Sequence, residues 1–224
     1  MNSCRLACRA WSPAAAALTL VQALLIALVV AVVAAIAIPS YLRARQLGAE
    51  TSVLSDLKLL SSAQQVWRGM DLDGNGAQDY WTYDVAGLWG LPGQDGAAIA
   101  QISPAIARAD AAGSGRYPGL GTPGPHAGFF FTIMATQAAD DGGGTYQANR
   151  GKVNRGGMEY AWATHPSRFA ICAYPSIYGE GDARQHILDE RGIIWARDTG
   201  SASPTLVFPS KDPTSASPPW VQFE

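Results

Sequence analysis

The side chains best placed to do chemistry lie in one short run, Asp71-Leu72-Asp73-Gly74-Asn75-Gly76-Ala77-Gln78-Asp79. Counting from Asp71, side-chain oxygens fall at the first, third, fifth and ninth places (Asp71, Asp73, Asn75, Asp79), and the Ala77 carbonyl falls at the seventh. Gly76 occupies the sixth. This is the spacing by which an EF-hand-like loop wraps calcium, a hard cation that takes carboxylate and carbonyl oxygens. The twelfth place holds Thr82 rather than the bidentate Glu of an EF-hand, so any ion here needs water or a remote carboxylate to complete its shell. The same letters also suit a tight turn into the strand Tyr80-Trp81-Thr82-Tyr83, because Asp, Asn and Gly all favour turns. Both readings stand. A bound ion would have a structural role, tying the end of the preceding helix to that strand.

Other reactive groups are dispersed. His126, His165 and His186 are far apart in sequence, and no H-E-x-x-H, C-x-x-C or G-x-S-x-G run occurs. A triad of Ser167 or Ser176 with His165 and Asp189 can be drawn, but such triads are defined by geometry and not by spacing. The expectation is a protein that is not an enzyme. Of three cysteines, Cys4 and Cys8 precede the apolar segment and only Cys172 follows it. A disulfide within the soluble part is therefore impossible, and Cys172, inside Phe169-Ala170-Ile171-Cys172-Ala173-Tyr174, reads as a small buried hydrophobe. The net charge of −2, with Lys and Arg scattered, provides no basic surface for nucleic acid.

The elements that must position the loop begin with a membrane segment. From Ala14 to Ile38 the chain carries no charge, and its only polar side chains are Thr19 and Gln22. A helix from Leu18 to Ile38, rising about 1.5 Å per residue, spans roughly the 30 Å of a bilayer core. The run exceeds the roughly 7–15 apolar residues of a cleavable secretory signal, so a retained helix is expected. Arg5 and Arg9 precede it and Arg43 and Arg45 follow it, and a short basic N-terminus held inside is preferred. Beyond Pro39, expected to kink the helix without ending it, Val53, Leu57, Leu60, Gln64 and Trp67 recur at helical spacing. They mark the stripe on which a β-sheet should sit.

Leu18-Thr19-Leu20-Val21-Gln22, followed by an Ala/Val/Ile run ending in Ala35-Ile36-Ala37-Ile38-Pro39-Ser40-Tyr41-Leu42, resembles the N-terminal helix of type IV pilins and type II secretion pseudopilins. Counting back from Pro39, the resemblance places the prepilin peptidase cut after Ala17 and makes Leu18 the methylated first residue. It also sets Gln22 where the family has a Glu that meets a neighbouring subunit's N-terminal amine. Ala17, Leu18 and Gln22 depart from the family's usual Gly, Phe and Glu. Because the Gln22 amide carries no charge to neutralise an amine in lipid, the departure points to a minor or non-polymerising relative. Partners implied by the resemblance are other pilin or pseudopilin subunits, the peptidase and the inner membrane. The head would lie in the periplasm or outside the cell, in a filament or a type II secretion apparatus. The alternative is an uncleaved single-pass anchor carrying a binding or structural domain.

The fold class expected is α+β, a long N-terminal helix packed on an antiparallel sheet. The organisation expected is a basic leader at 1–17, a transmembrane helix at 18–39, the head at 40–200 and a Pro/Ser-rich tail at 201–224, extended or partly disordered, from which Trp220 and Phe223 could dock. Residues 84–127, rich in Gly and Pro apart from Ile99 to Ala107, read as surface loop. Phe129 to Ala135, Phe169 to Tyr174, Arg184 to Leu188 and Gly192 to Arg197 read as strands with short, antiparallel connections. The blocks Gly128-Phe129-Phe130-Phe131-Thr132 and Phe169 to Pro175 with Tyr178-Gly179 also resemble an uncharacterised domain of secreted and pilin-like bacterial proteins.

Overall fold

The computed structural model describes residues 19–139, 143–179, 184–210 and 212–223. The leader, Ala17, Leu18 and parts of the expected turns at Asp140–Gly144 and Gly179–Gly181 lie outside them. The chain is α+β: a long N-terminal helix followed by mainly antiparallel sheets. It divides into two compact units, residues 1–42 and 43–224.

The first unit contributes the start of α1, Leu20–Met70. Thr19 and Gln22 form a reciprocal cap: Gln22 N donates to Thr19 Oγ1 at 3.3 Å, and Thr19 N donates to Gln22 Oε1 at 3.1 Å. Two N–H groups left open at the helix start are thereby satisfied. The helix continues through Pro39. Leu24, Leu25, Ile26, Val29, Val30, Val33 and Ile36 are all exposed.

In the second unit, the expected stripe of α1 is buried: Val53, Leu57, Leu60, Gln64 and Trp67 are fully covered. Three sheets follow among the described residues. Strands β1 (Tyr80–Trp81), β6 (Met158–His165) and β5 (Asn149–Arg155) form the first, in the order β1-β6-β5. The β5–β6 hairpin turns on Gly156 and Gly157, both at positive φ (58° and 80°), the backbone of a type I′ turn. Strands β2 (Phe129–Ile133), β7 (Ala170–Pro175), β8 (Arg184–Asp189), β9 (Ile194–Asp198) and β11 (Val221–Gln222) form an antiparallel sheet ordered β11-β9-β8-β7-β2. A small third sheet orders β10 (Val207–Phe208), β3 (Thr136–Gln137) and β4 (Gly144–Thr145), with β10 parallel to β3.

The five-stranded sheet is covered on both faces. Ile171, Ala173, Leu188 and Ile194 join Leu57, Leu60 and Trp67 in one cluster, while Ala170, Cys172, Ile187 and Trp195 join Phe208 and Trp220 in the other. Alternate residues of β7 thus face opposite cores, which is why its apolar run has no polar interruption. The tail is correspondingly more ordered than its proline content suggests, because Phe208 and Trp220 supply the second cover and β11 pairs with β9. Cys172 is buried and unpaired, and burial pushes its thiol up to about 12.

The surface-loop reading of 84–127 is corrected by the structure. Val85, Ala86, Leu88, Tyr117 and Leu120 are buried, and a short helix α2 (Gly87–Gly90) lies within the segment, while α3 (Pro104–Arg108) falls mostly in the excepted stretch Ile99 to Ala107. Such a loop can be buried because carboxylates satisfy its backbone. Asp110 accepts from the N–H groups of Val85, Ala86, Ala112 and Gly113. Asp84 accepts from the Gly87 N–H, the Tyr117 hydroxyl and the Arg116 guanidinium. Gly113 is required beside them, since a Cβ there would stand 2.3 Å from Asp110 Oδ2.

Candidate functional site

The acidic run starts where α1 stops. Asp71 has φ 47°, a left-handed conformation that ends helices and that Asp tolerates better than most residues. Gly74 and Gly76 are also left-handed, at φ 65° and 80°. The chain curls around Asp71, whose Oδ1 accepts from Asn75 N at 3.0 Å and whose Oδ2 accepts from Gly76 N at 2.9 Å. Asn75 Oδ1 accepts from Ala77 N at 2.7 Å.

At the centre of the loop, the Asn75 amino group donates to Asp73 Oδ2 at 2.9 Å and to Asp79 Oδ2 at 3.2 Å. Asp73, Asn75 and Asp79 are therefore brought together, while Asp71 is turned onto the backbone and Ala77 lies exposed at the rim. No group of three or more His, Cys, Asp or Glu among the described residues makes a ready metal shell. Burial and the closeness of the Asp71 and Asp79 carboxylates push the Asp73 carboxyl up to about 7. Asp79 is 2% exposed. The Oδ1 atoms of both Asp73 and Asp79 are buried and lack a hydrogen-bond partner. With oxygen donors alone, the loop's chemistry fits a hard cation such as calcium, not a thiolate- or imidazole-seeking metal.

Distant residues hold the loop. Arg155 of β5 donates to the Asp73 carbonyl at 2.6 Å and to the Pro92 carbonyl at 2.8 Å. A cavity of about 210 Å³ beside the loop is lined by Asp73, Asn75, Lys152, Arg155 and Trp162 among others. Arg155 was not evident as a loop partner in the sequence, since the contact joins residues 82 apart.

The histidines are spread through the head. His126 Nε2 lies 3.5 Å from Asp56 Oδ2. His165 Nδ1 accepts from the backbone N–H groups of Ser167 and Arg168, closing the turn after β6. Burial and the Arg168 charge hold His165 below its ordinary value, partly offset by Asp79. His186 is fully buried between Phe129 and Phe223. Asp189 pairs with Arg191 at 2.6 Å. Ser167 meets His165 through its backbone N–H.

Of the residues that the pilin resemblance singled out, Ala17 and Leu18 lie outside the described residues. Gln22 caps α1 and Pro39 sits within that helix. α1 is long and apolar enough to cross a membrane, and none of its apolar window is buried. That makes it a candidate single-pass anchor.

Residues 37–214 match the model of a family described as a protein of unknown function, DUF2950. No curated protein and no solved structure matches the chain.

Proposed function

The chain belongs to the DUF2950 family, and we propose that it is a non-enzymatic, pilin-like or pseudopilin-like subunit of the bacterial envelope, anchored by the apolar part of α1 and displaying its head outside the cytoplasm. The observation that carries this reading is that one helix supplies two kinds of surface. From Leu20 to Leu42 its side chains are uncharged and almost all exposed, and from Val53 to Trp67 a stripe is buried under the head's sheets. Leaving so many Leu, Ile and Val side chains in water opposes the hydrophobic effect at about 25 cal/mol per Å² of apolar surface, whereas lipid or neighbouring helices remove that cost. The register that ends at Pro39 supports cleavage after Ala17 and assembly of a minor filament or type II secretion component through the exposed helix.

One observation favours a second reading, an uncleaved single-pass anchor with a binding or structural head. The Gln22 amide is engaged in capping its own helix through Thr19, which leaves less of it to meet a neighbour's amine. Mass spectrometry of the protein recovered from membranes of cells carrying a prepilin peptidase separates the two. A chain beginning at N-methylated Leu18 is expected for the pilin-like subunit. An intact Met1 on membrane-held protein would overturn cleavage and leave the anchored domain.

A further inference from the structure

We propose that the 71–79 loop is a calcium site in which Asp73 and Asp79 are the principal ligands and Asn75 stands where the ion sits. The proposal is independent of how the chain is anchored or assembled.

Two buried oxygens carry it. Asp79 is 2% exposed and its Oδ1 has no hydrogen-bond partner, and Asp73 Oδ1 is buried and equally unpartnered. Most buried side-chain polar atoms in native proteins are paired, and an orphaned carboxylate oxygen is one that a water or an ion can satisfy. The other oxygens of the same two carboxylates converge on one small group, the Asn75 amino group, at 2.9 and 3.2 Å. A cation entering between them meets two anionic ligands already oriented. Rotation of the Asn75 amide then presents its oxygen as a third, while the exposed Ala77 N–H turns to water. The adjoining cavity has room for several waters, each of about 30 Å³, to complete the shell.

Among the described residues, the basic side chains beside the loop have other partners. Arg155 is engaged with the Asp73 and Pro92 carbonyls, Arg68 with the Gln78 carbonyl and the Tyr80 hydroxyl, and Lys152 with Glu159. An oxygen-only, loop-borne donor set with a positive-φ glycine at its sixth place suits calcium better than magnesium, which demands a stricter octahedron. Bound there, the ion would tie the end of α1 to β1 and, through Arg155, to β5.

The test uses the full chain in detergent micelles, stripped with EDTA and titrated with calcium chloride by calorimetry, with Tm followed by tryptophan fluorescence. Saturable binding of a single ion is expected, with Kd on the order of 10⁻⁵ to 10⁻³ M, together with a calcium-dependent rise in Tm. Asp79→Asn and Asp73→Asn should each weaken binding about tenfold or more and abolish the rise, whereas Asp198→Asn, on an exposed carboxylate of β9, should bind as the wild type does. If Asp79→Asn does not fold, the half-buried Asp73→Asn decides. No saturable heat with an unchanged Tm at about 10 mM calcium, ten times the weakest affinity of such modules, would overturn the site. So would undiminished binding by a folded variant, or an equal response to magnesium.

Discussion

Gln64 of α1 and Trp81 of β1 exchange two hydrogen bonds. Gln64 Nε2 donates to the Trp81 carbonyl at 2.7 Å, and the Trp81 N–H donates to Gln64 Oε1 at 3.1 Å. Both residues are fully buried. β1 has β6 on one side only, and the amide occupies the other side as a strand would. The Trp67 and Trp81 rings, with centroids 4.9 Å apart, pack beside it. A polar residue on an otherwise apolar stripe is thereby explained, since Trp81's backbone would otherwise be buried unpaired.

Gln64→Leu keeps the volume and removes both bonds, stranding one N–H and one carbonyl. A loss of roughly 2–4 kcal/mol is expected from two unsatisfied groups. Urea unfolding in micelles, read by tryptophan fluorescence, should show a lower midpoint with an unchanged slope. A variant as stable as the wild type would mean that the amide does not close the strand.

Asp110 organises a buried loop in the same manner. Its Oδ2 accepts from Val85 N and Ala86 N at 2.7 and 3.1 Å, and its Oδ1 accepts from Ala112 N and Gly113 N at 3.1 and 2.8 Å. Asp110→Ala should cost on the order of 3–5 kcal/mol. Asp110→Asn should rescue little, because whichever way its amide turns, the amino group faces two N–H donors. Denaturation midpoints of the two variants check this, and near-complete rescue by Asn would contradict it.

Asp84 predicts a dependence on pH. Burial, reinforced by the neighbouring Asp110 carboxylate, pushes its carboxyl up to about 6, against about 3.9 in an unfolded chain. Below about pH 4 both states carry the proton and the contribution of Asp84 to stability is complete. Between about pH 4 and 6 the unfolded chain ionises first, so this contribution falls, and above about pH 6 it is gone. Relative to Asp84→Asn, the wild type should lose roughly 1–3 kcal/mol between pH 4 and 7. Parallel melting series on both proteins provide the measurement, and parallel curves would refute the shift.

Periodicity made much of this fold readable. The stripe Val53, Leu57, Leu60, Gln64 and Trp67 and the strands β2, β7, β8 and β9 rest on spacings of helix and strand that local sequence reports. The segment 84–127 was opaque because its burial depends on Asp84 and Asp110 bonding backbone groups, an arrangement without a period. β5 was hidden by its polarity, as Asn149, Arg150, Lys152 and Asn154 mask the alternation of an edge strand. Gly156-Gly157 and the alternating Tyr160, Trp162 and Thr164 of β6 were the local signs of the hairpin. At the candidate site, the spacing of oxygens was legible from Asp71 to Asp79. What spacing could not disclose is which oxygens tertiary cover leaves unpartnered, nor that Arg155 grips the loop from β5.

The exposed stretch of α1 yields the prediction that bears most directly on function. Val30 lies near the middle of the uncharged run, is 60% exposed, and has only apolar neighbours along the helix. If that run sits in lipid, Val30→Arg places a guanidinium near the bilayer centre at a cost of about 2.5–3.5 kcal/mol on an insertion scale. The variant should then shift toward the soluble fraction on carbonate extraction, whereas Val30→Leu should stay with the membrane. The head should be unaffected, because among the described residues its two buried clusters draw only on residues after Arg43. Its calcium response, measured in micelles, should match the wild type. Undiminished membrane retention of Val30→Arg would show that the run is not held at bilayer depth, and the anchor would have to be sought elsewhere in the chain.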